Sequence, residues 1–175
     1  MTAAVTIEQL TGSQAAVAIE ALAEVLVDCV QGGASVGFMQ SLTLDQAKAF
    51  WRGVADGVAR GERILLIVRD SDGQILGTVQ LVIAQPPNQP HRADVAKMLV
   101  HRRARRRGIA QLLMVAIDDA ARAAGKTVLV LDTVTGGDAE RLYARCGWQQ
   151  VGVVPNYALF PDGAFCATTF FYKHL

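Results

Sequence analysis

The chain has 175 residues, the size of one folded domain, and 51% of them are hydrophobic while 19% are charged. This composition is typical of a folded protein and excludes an intrinsically disordered chain. The formal net charge is +1, so the chain as a whole lacks the broad positive charge of a nucleic-acid-binding protein. Cys29, Cys146 and Cys166 are far apart, which argues against a disulfide framework and a zinc site.

The amino-terminal part predicts one strand and two helices. Residues 4–8 form a candidate strand, and Ser13 is a candidate N-cap for a helix that runs to about Val30. The second helix starts at Thr43, where Thr-Leu-Asp-Gln has the spacing of a capping box, and it ends before Gly61. Between the two helices lies the glycine-rich sequence QGGASVGF.

No membrane segment is expected in the first predicted helix. Glu20, Glu24 and Asp28 interrupt its apolar sequence at a spacing of four and form a polar face. The amino terminus also lacks a basic region followed by an apolar core, so we expect no targeting segment and a cytoplasmic protein.

The central part predicts three antiparallel strands. Two strands, Ile64–Arg69 and Ile75–Ala84, are separated by the hairpin sequence Asp70–Gly73. A proline-rich loop at Pro86–Pro90 precedes the third strand, which covers Asp94–Val100.

The carboxyl-terminal part predicts a parallel strand–helix–strand unit. A helix begins near Ile109, ends before Gly125 and is followed by a strand at Thr127–Leu131. Asp118 and Asp119 are placed on the exposed side of this helix. A further helix and two closing strands complete a mixed α/β domain, whose ligand should lie at the carboxyl ends of the parallel strands.

The sequence between the parallel strands predicts an anion-binding turn. Arg105, Arg106 and Arg107 supply positive charge, and Gly108 allows the backbone to turn tightly. The helix that begins near Ile109 directs unpaired N–H groups at the same place, which suits a pyrophosphate. A solvated basic loop and an RNA contact are alternative explanations of the same residues.

Two ordered motifs resemble those of the GNAT acetyltransferase family. Arg105-x-x-Gly108-x-Ala110 resembles its pyrophosphate-binding signature, and Leu142-Tyr143-x-x-x-Gly147-Trp148 resembles its closing motif. The resemblance implies an α/β fold with a mixed, mostly antiparallel sheet of seven strands, flanked by about four helices. Two central parallel strands would splay apart to admit acetyl-CoA, and residues 1–175 would form a single domain.

The resemblance also implies the cofactor-binding residues. Acetyl-CoA would place its pyrophosphate on the anion-binding turn and its pantetheine arm on the strand before it. The residues expected to bind it are Met98, Leu99, Val100, Arg105, Arg106, Arg107, Gly108, Ile109 and Ala110.

Two residues are candidates for the chemistry of acetyl transfer. Tyr143 would protonate the departing thiolate, because a tyrosine hydroxyl is a proton donor at neutral pH. Asp132, at the carboxyl end of an apolar strand, would orient or deprotonate the acceptor amine, directly or through water. The alternatives are a core tyrosine and a loop carboxylate that hydrogen-bonds nearby N–H groups. A nucleophilic Cys146 is also conceivable, but no histidine lies beside it in the sequence.

A closer resemblance suggests where the acceptor binds. QGGASVGFM, HRADVAKMLV, LDT and PDG are similar to segments of tabtoxin-resistance acetyltransferases, in which the residues matching Asp132 and Tyr143 are the proposed catalytic pair. A tabtoxin-like β-lactam is therefore one candidate acceptor. The candidate substrate contacts are Ser35, Val36, Phe38, Gln80 and Tyr157.

One position departs from the family pattern. Gly136 stands where many members have an asparagine that contacts the cofactor arm, while Asp138 is a candidate N-cap of the next helix. His91, His101 and His174 have no metal-ligand spacing, so we predict no metal.

The sequence thus predicts an N-acetyltransferase that acts on a small-molecule amine, with no nucleic-acid or membrane partner. A protein N-terminus or lysine is an alternative acceptor. A non-catalytic CoA- or RNA-binding module is an alternative of a different class. Dimers are common in the family, so a homodimer is one expectation and the oligomeric state stays open.

Overall fold

The computed structural model describes residues 4–175, and residues 1–3 of the predicted domain lie outside the described residues. Seven strands form one sheet in the order β1-β2-β3-β4-β5-β7-β6. The strands are β1 (Val5–Leu10), β2 (Arg63–Asp70), β3 (Ile75–Val82), β4 (Arg92–Val100), β5 (Val128–Val134), β6 (Gln149–Leu159) and β7 (Phe165–His174). Every neighbouring pair is antiparallel except β4–β5, which is parallel. The predicted mixed, mostly antiparallel α/β sheet is confirmed.

Five α-helices accompany the sheet: α1 (Gly12–Val17), α2 (Ile19–Gln31), α3 (Leu44–Ala59), α4 (Ile109–Ala123) and α5 (Asp138–Arg145). The predicted first helix is divided at Ala18 into α1 and α2, which accounts for the additional helix. The predicted N-cap Ser13 is wrong, because the N-cap is Thr11, two residues earlier, which forms a reciprocal capping box with Gln14. The capping box predicted at Thr43 is confirmed.

The sheet has a hydrophobic core on each face. On one face α2 and α3 cover β2 and β3 while α1 packs on α3 and β1, and the buried side chains include Leu26, Trp51 and Ile67. On the other face α4 and α5 pack on the central strands through residues such as Leu113 and Phe171. The sheet is therefore buried between two helical layers along its centre, which holds the carboxyl ends of β4 and β5 in a fixed frame.

The predicted exposure of Asp118 is wrong. Its side chain is buried, because position 118 follows Met114 by four residues and so lies on the buried stripe of α4. Lys173 of β7 forms an ion pair with Asp118 and also donates to the carbonyl of Cys146 at 2.8 Å. Within residues 4–175, no helix combines the length and hydropathy needed to cross a bilayer.

Candidate active site

The parallel strands β4 and β5 separate and open a cavity at their carboxyl ends. They pair only through Arg92–Asp94 and Val128–Val130, although β4 continues to Val100 and β5 to Val134. A cavity of about 920 Å³ lies beyond the last pair. Most of its wall residues come from within 32–37, 95–100, 104–110, 132–145 and 157–160. The predicted splay of the two strands is confirmed.

The turn between β4 and α4 carries unpaired backbone donors. Gly108 caps α4 with a φ of 75°, a left-handed conformation that glycine adopts without steric cost, and Arg106 has a φ of 60°. No side chain caps the helix, and the first helical N–H that bonds back to this turn is that of Leu112, at 3.1 Å from the Gly108 carbonyl. The N–H groups before Leu112 are therefore free to bind an anion.

The predicted pyrophosphate residues fall into two groups. Five of the six line the cavity, namely Arg105, Arg106, Gly108, Ile109 and Ala110, whereas Arg107 does not. Arg105 is held in place by a hydrogen bond of 3.3 Å from its Nε to the Val100 carbonyl. Two cationic side chains and a helix amino terminus thus lie at one end of the cavity.

The predicted pantetheine strand also lines the cavity. Met98, Leu99 and Val100 all contribute to its wall. Their backbone groups on the β5 side have no strand partner, since pairing with β5 stops at Asp94. A bulge against β3 precedes them, and Lys97 at this bulge has a φ of 50°. An extended amide-containing ligand can therefore hydrogen-bond to this edge as an added strand does.

Asp132 of β5 lines the same cavity, on the opposite side of the strand from the buried residues Leu129 and Leu131. Its side chain is exposed on the cavity side, and protein atoms bury only its other side. This burial raises the pKa of Asp132 above its ordinary value, while the nearby Lys97 ammonium opposes the shift and Asp94 adds to it. A carboxylate with a raised pKa holds a proton more readily, as a general base must.

Tyr143 of α5 is both a core residue and a cavity residue. Its ring packs against Trp148 and Phe171, with centroid separations of 6.2 and 6.1 Å. Only 6% of the residue is exposed, yet it lines the cavity. Burial raises the pKa of the Tyr143 hydroxyl, and the Asp132 carboxylate and Cys146 raise it further. The hydroxyl therefore keeps its proton at neutral pH and is available as a donor.

Three of the five predicted acceptor contacts line the cavity: Ser35, Val36 and Tyr157. Phe38 instead packs edge-on against Phe50 of α3, with 5.3 Å between ring centroids. Gln80 is fully buried in β3 and accepts a hydrogen bond of 2.9 Å from Arg63. Neither Phe38 nor Gln80 is among the wall residues, because Phe38 packs on α3 and Gln80 is buried in β3 with Arg63 of β2 as its partner.

The glycine-rich segment 32–37 covers the acceptor end of the cavity. Ser35 Oγ donates a hydrogen bond of 2.7 Å to the Leu159 carbonyl of β6. The Gln40 N–H donates to the Pro161 carbonyl at 3.0 Å, in the turn between β6 and β7. These two bonds join segments more than a hundred residues apart in the chain and enclose one side of the cavity.

Sequence reasoning missed several wall residues, of which Lys97, Asp138, Arg141 and Arg145 are charged. The available indication for Lys97 was a single lysine inside the apolar strand sequence VAKMLV. Gly136 adopts a φ of 80°, and its N–H is bound by Glu140. The predicted N-cap Asp138 is wrong, since Gly137 precedes the first helical residue. Cys146 is not a wall residue, and burial raises the pKa of its thiol, so a nucleophilic role has no support.

A family model decides the classification. The model of the Acetyltransferase (GNAT) family matches residues 19–148, well over half of the chain. The chain belongs to the GNAT acetyltransferase family. This family uses acetyl-CoA, so the predicted cofactor is confirmed, and the anion-binding turn and the open edge of β4 fit its pyrophosphate and its amide-containing arm.

Known proteins resemble this member of the GNAT family in sequence and in fold. An uncharacterized N-acetyltransferase in the hisH-hisA intergenic region of Azospirillum brasilense is 36% identical over 107 residues, and the match covers 60% of this chain and 61% of that protein. An N-acetyltransferase structure from Staphylococcus aureus Mu50 aligns with a TM-score of 0.80 at 17% identity over 98% of both chains. The yncA structure from Salmonella typhimurium, which contains acetyl-CoA, aligns with a TM-score of 0.79 at 18% identity, covering 98% of this chain and 94% of that one.

Proposed function

We propose that this chain is an N-acetyltransferase that moves the acetyl group of acetyl-CoA directly to the amine of a small molecule while both are bound. The observation that carries the proposal is one continuous cavity. Its wall includes the anion-binding turn at one end and both Asp132 and Tyr143 further along. A donor bound through its pyrophosphate at the turn, with its arm along β4, therefore extends toward a carboxylate and a buried phenol.

The chain's own residues have separate tasks in this mechanism. Acetyl-CoA supplies a thioester that is already activated for attack by an amine. Asp132 orients the amine and accepts its proton, directly or through water, and the raised pKa of Asp132 suits it to this task. Tyr143 donates its hydroxyl proton to the departing sulfur, and its packing against Phe171 and Trp148 fixes its position.

The covered side of the acceptor end favours a small molecule over a protein. A peptide needs an open groove, but the bonds from Ser35 to β6 and from Gln40 to the following turn hold segment 32–37 across one side of the cavity. Two proteins with this fold, from Brucella melitensis and Vibrio fischeri, have names that describe acetylation of an alanine of a ribosomal protein. The test of the proposed function therefore includes protein N-termini and lysines as acceptors. A tabtoxin-like β-lactam is one of the small amines to be tested.

The proposal is tested by ligand binding followed by turnover. Acetyl-CoA at a hundred times its dissociation constant should stabilise the folded state by about 2.7 kcal/mol, measured as a rise in the Tm. Free CoA should then appear with one or more small amines, measured by thiol release. The Asp132→Asn variant is the matched control, because it should bind acetyl-CoA and release little CoA.

Four results would contradict the proposal in distinct ways. No stabilisation by acetyl-CoA would remove the cofactor-binding role of the cavity. Stabilisation without thiol release from any amine would favour a non-catalytic CoA-binding module. Thiol release with peptide N-termini or lysines alone would replace the small acceptor with a protein. Steeply salt-dependent binding to RNA would support the nucleic-acid-binding alternative.

We also propose a homodimer formed through the β6 side of the sheet. Strand β6 is the last strand of the sheet and exposes Val151, Val153 and Val154, and Phe165 of β7 is 69% exposed. Sedimentation of the full chain at several concentrations tests this assembly, and a single monomeric species would contradict it. A cytoplasmic location stays a prediction.

A further inference from the structure

Lys97 places a positive charge at the acceptor end of the cavity, away from the anion-binding turn. It lines the cavity at the bulge of β4. Its Nζ lies 5.8 Å from the centroid of the Phe50 ring. A methyl group added to Gly37 would lie 3.8 Å from this Nζ. The ammonium is therefore situated beneath segment 32–37, the segment that covers the acceptor end.

This ammonium has no strong partner in the protein. Among residues 4–175, no carboxylate lies within ion-pair distance of Lys97, whereas Lys48, Lys126 and Lys173 each have a carboxylate or carbonyl partner. Burial lowers the pKa of Lys97, and Arg63 lowers it further, while Asp132 opposes the shift. A poorly solvated cation without an ion pair costs stability, and a ligand anion would remove that cost.

The backbone at Lys97 is also strained. Its φ of 50° is left-handed, which a lysine side chain rarely adopts. The bulge directs the chain so that Lys97 and Asp132 face the same cavity, and each affects the pKa of the other. The acceptor end therefore presents a cation and an anion together, and a zwitterion is the ligand with the complementary pair of charges.

We propose that the Lys97 ammonium binds a carboxylate of the acetyl acceptor, so that the acceptor is an amino acid or a similar zwitterionic amine whose amino group faces Asp132. This inference rests on the proposed function and adds the chemical class of the acceptor. Lys97 then determines specificity: it contacts a part of the acceptor that does not react, and it leaves acetyl-CoA binding unchanged.

The test compares L-amino acids with their carboxamides, which lack the carboxylate charge. The kcat/KM of each acid and each amide is measured by thiol release with the wild type, Lys97→Met, Lys97→Arg and the control Lys48→Met. Comparing one acid–amide pair across variants cancels the difference in amine basicity between the two compounds. Lys48→Met removes the same charge from an ion pair with Glu20 outside the cavity wall.

The wild type should prefer acids, and Lys97→Met should lower kcat/KM for acids by at least about thirtyfold, chiefly through KM, with a much smaller effect on amides. Lys97→Arg should retain part of the preference, and Lys48→Met should retain all of it. Equal losses for acids and amides in Lys97→Met would overturn the inference, because they would show that Lys97 acts only through Asp132.

A wild type that acetylates amides as well as acids, once each kcat/KM is divided by the fraction of the amine that is unprotonated, would overturn the inference while leaving the proposed function intact. This comparison needs no variant, so it remains decisive if Lys97→Met does not fold. No thiol release from any acid or amide, while another small amine does release CoA, would overturn this inference alone. No thiol release from any amine, with acetyl-CoA still raising the Tm, would contradict both the proposed function and this inference.

Discussion

The two ends of the cavity are built in different ways. The cofactor end comes from one continuous segment, residues 98–110, and most of its predicted contacts are backbone groups at a strand edge and a helix amino terminus. The acceptor end is assembled from segments far apart in the chain, including residues 32–37, Lys97, Asp132 and Tyr157. Its contacts are side chains, and hydrogen bonds between distant loops hold the segments together.

Because of this difference, donor binding should depend on the fold itself, whereas acceptor binding should depend on individual side chains. A donor held by backbone N–H groups depends on the path of the chain and tolerates many changes of side chain. An acceptor recognised by a few side chains changes when one of them is replaced. The same fold can therefore keep one donor and serve different acceptors. The following experiments test this division.

The largest effect is expected at Asp132. Asp132→Asn removes the proton acceptor but keeps the size of the side chain, so kcat should fall by about 10²–10⁴-fold. The dissociation constant for acetyl-CoA should stay within about twofold, because the cofactor end is untouched. Steady-state thiol release and calorimetric titration measure the two quantities. A large loss of acetyl-CoA affinity would contradict the claim that the cofactor end and the acceptor end function independently.

A smaller loss of turnover is expected at Tyr143. Tyr143→Phe keeps the ring that packs on Trp148 and Phe171 but removes the proton donor, so kcat should fall by about 10–10²-fold with acetyl-CoA affinity unchanged. Tyr172→Phe is the matched control, since Tyr172 donates to Gln149 and is not a wall residue. Equal turnover in the wild type and in Tyr143→Phe would remove this hydroxyl from the mechanism.

The cofactor end is tested by two glycines at opposite ends of α4. Gly108 and Gly125 have φ values of 75° and 71°, and an added methyl group meets nothing within 4 Å at either position. Each change to alanine should lower the free energy of unfolding by about 1 kcal/mol, measured by denaturant titration. Only Gly108→Ala should also weaken acetyl-CoA binding, by up to about tenfold. Equal acetyl-CoA affinity in both variants would contradict the assignment of the anion-binding turn.

The smallest effect is a shift in pH dependence. Ionised Asp132 is the active form, so kcat/KM should fall as the pH decreases through the raised pKa of this carboxyl. Lys97→Met removes a cation that opposes the raised value, so the acidic limb should move to higher pH. Ionisation of the acceptor amine is the same in both proteins, and the difference between their profiles reports on Asp132. Profiles that superimpose would contradict this prediction, because either Asp132 would not be the base or Lys97 would not affect its pKa.

The cofactor end could be predicted from the sequence because the residues that form it are neighbours in the chain. The arginines, Gly108 and the start of α4 are adjacent in the chain, so their pattern predicts their geometry. Arg107 is the exception, since the left-handed backbone at Arg106 decides which neighbouring side chain faces the cavity. The predicted start of the first helix was also wrong. Thr11 and Ser13 are both suitable N-cap residues, and the hydrogen bonds between Thr11 and Gln14 decide between them.

The acceptor end was harder to predict because its residues meet only after folding. Phe38 and Gln80 have residue types suited to a binding site, yet Phe38 packs on Phe50 of α3 and Gln80 is bound by Arg63 of β2. Lys97 was overlooked because a strand's alternation of faces fails at a bulge, and no local pattern marks this bulge.

The sequence by itself determined the family, the seven-stranded α/β fold, the use of acetyl-CoA and the positions of Asp132 and Tyr143, since ordered motifs and periodic patterns encode them. The tertiary structure alone decided that Ser35 is bonded to Leu159, that Asp118 is buried against Lys173 and that Lys97 faces the cavity. These features depend on contacts between segments far apart in the chain, and their formation requires the packed sheet.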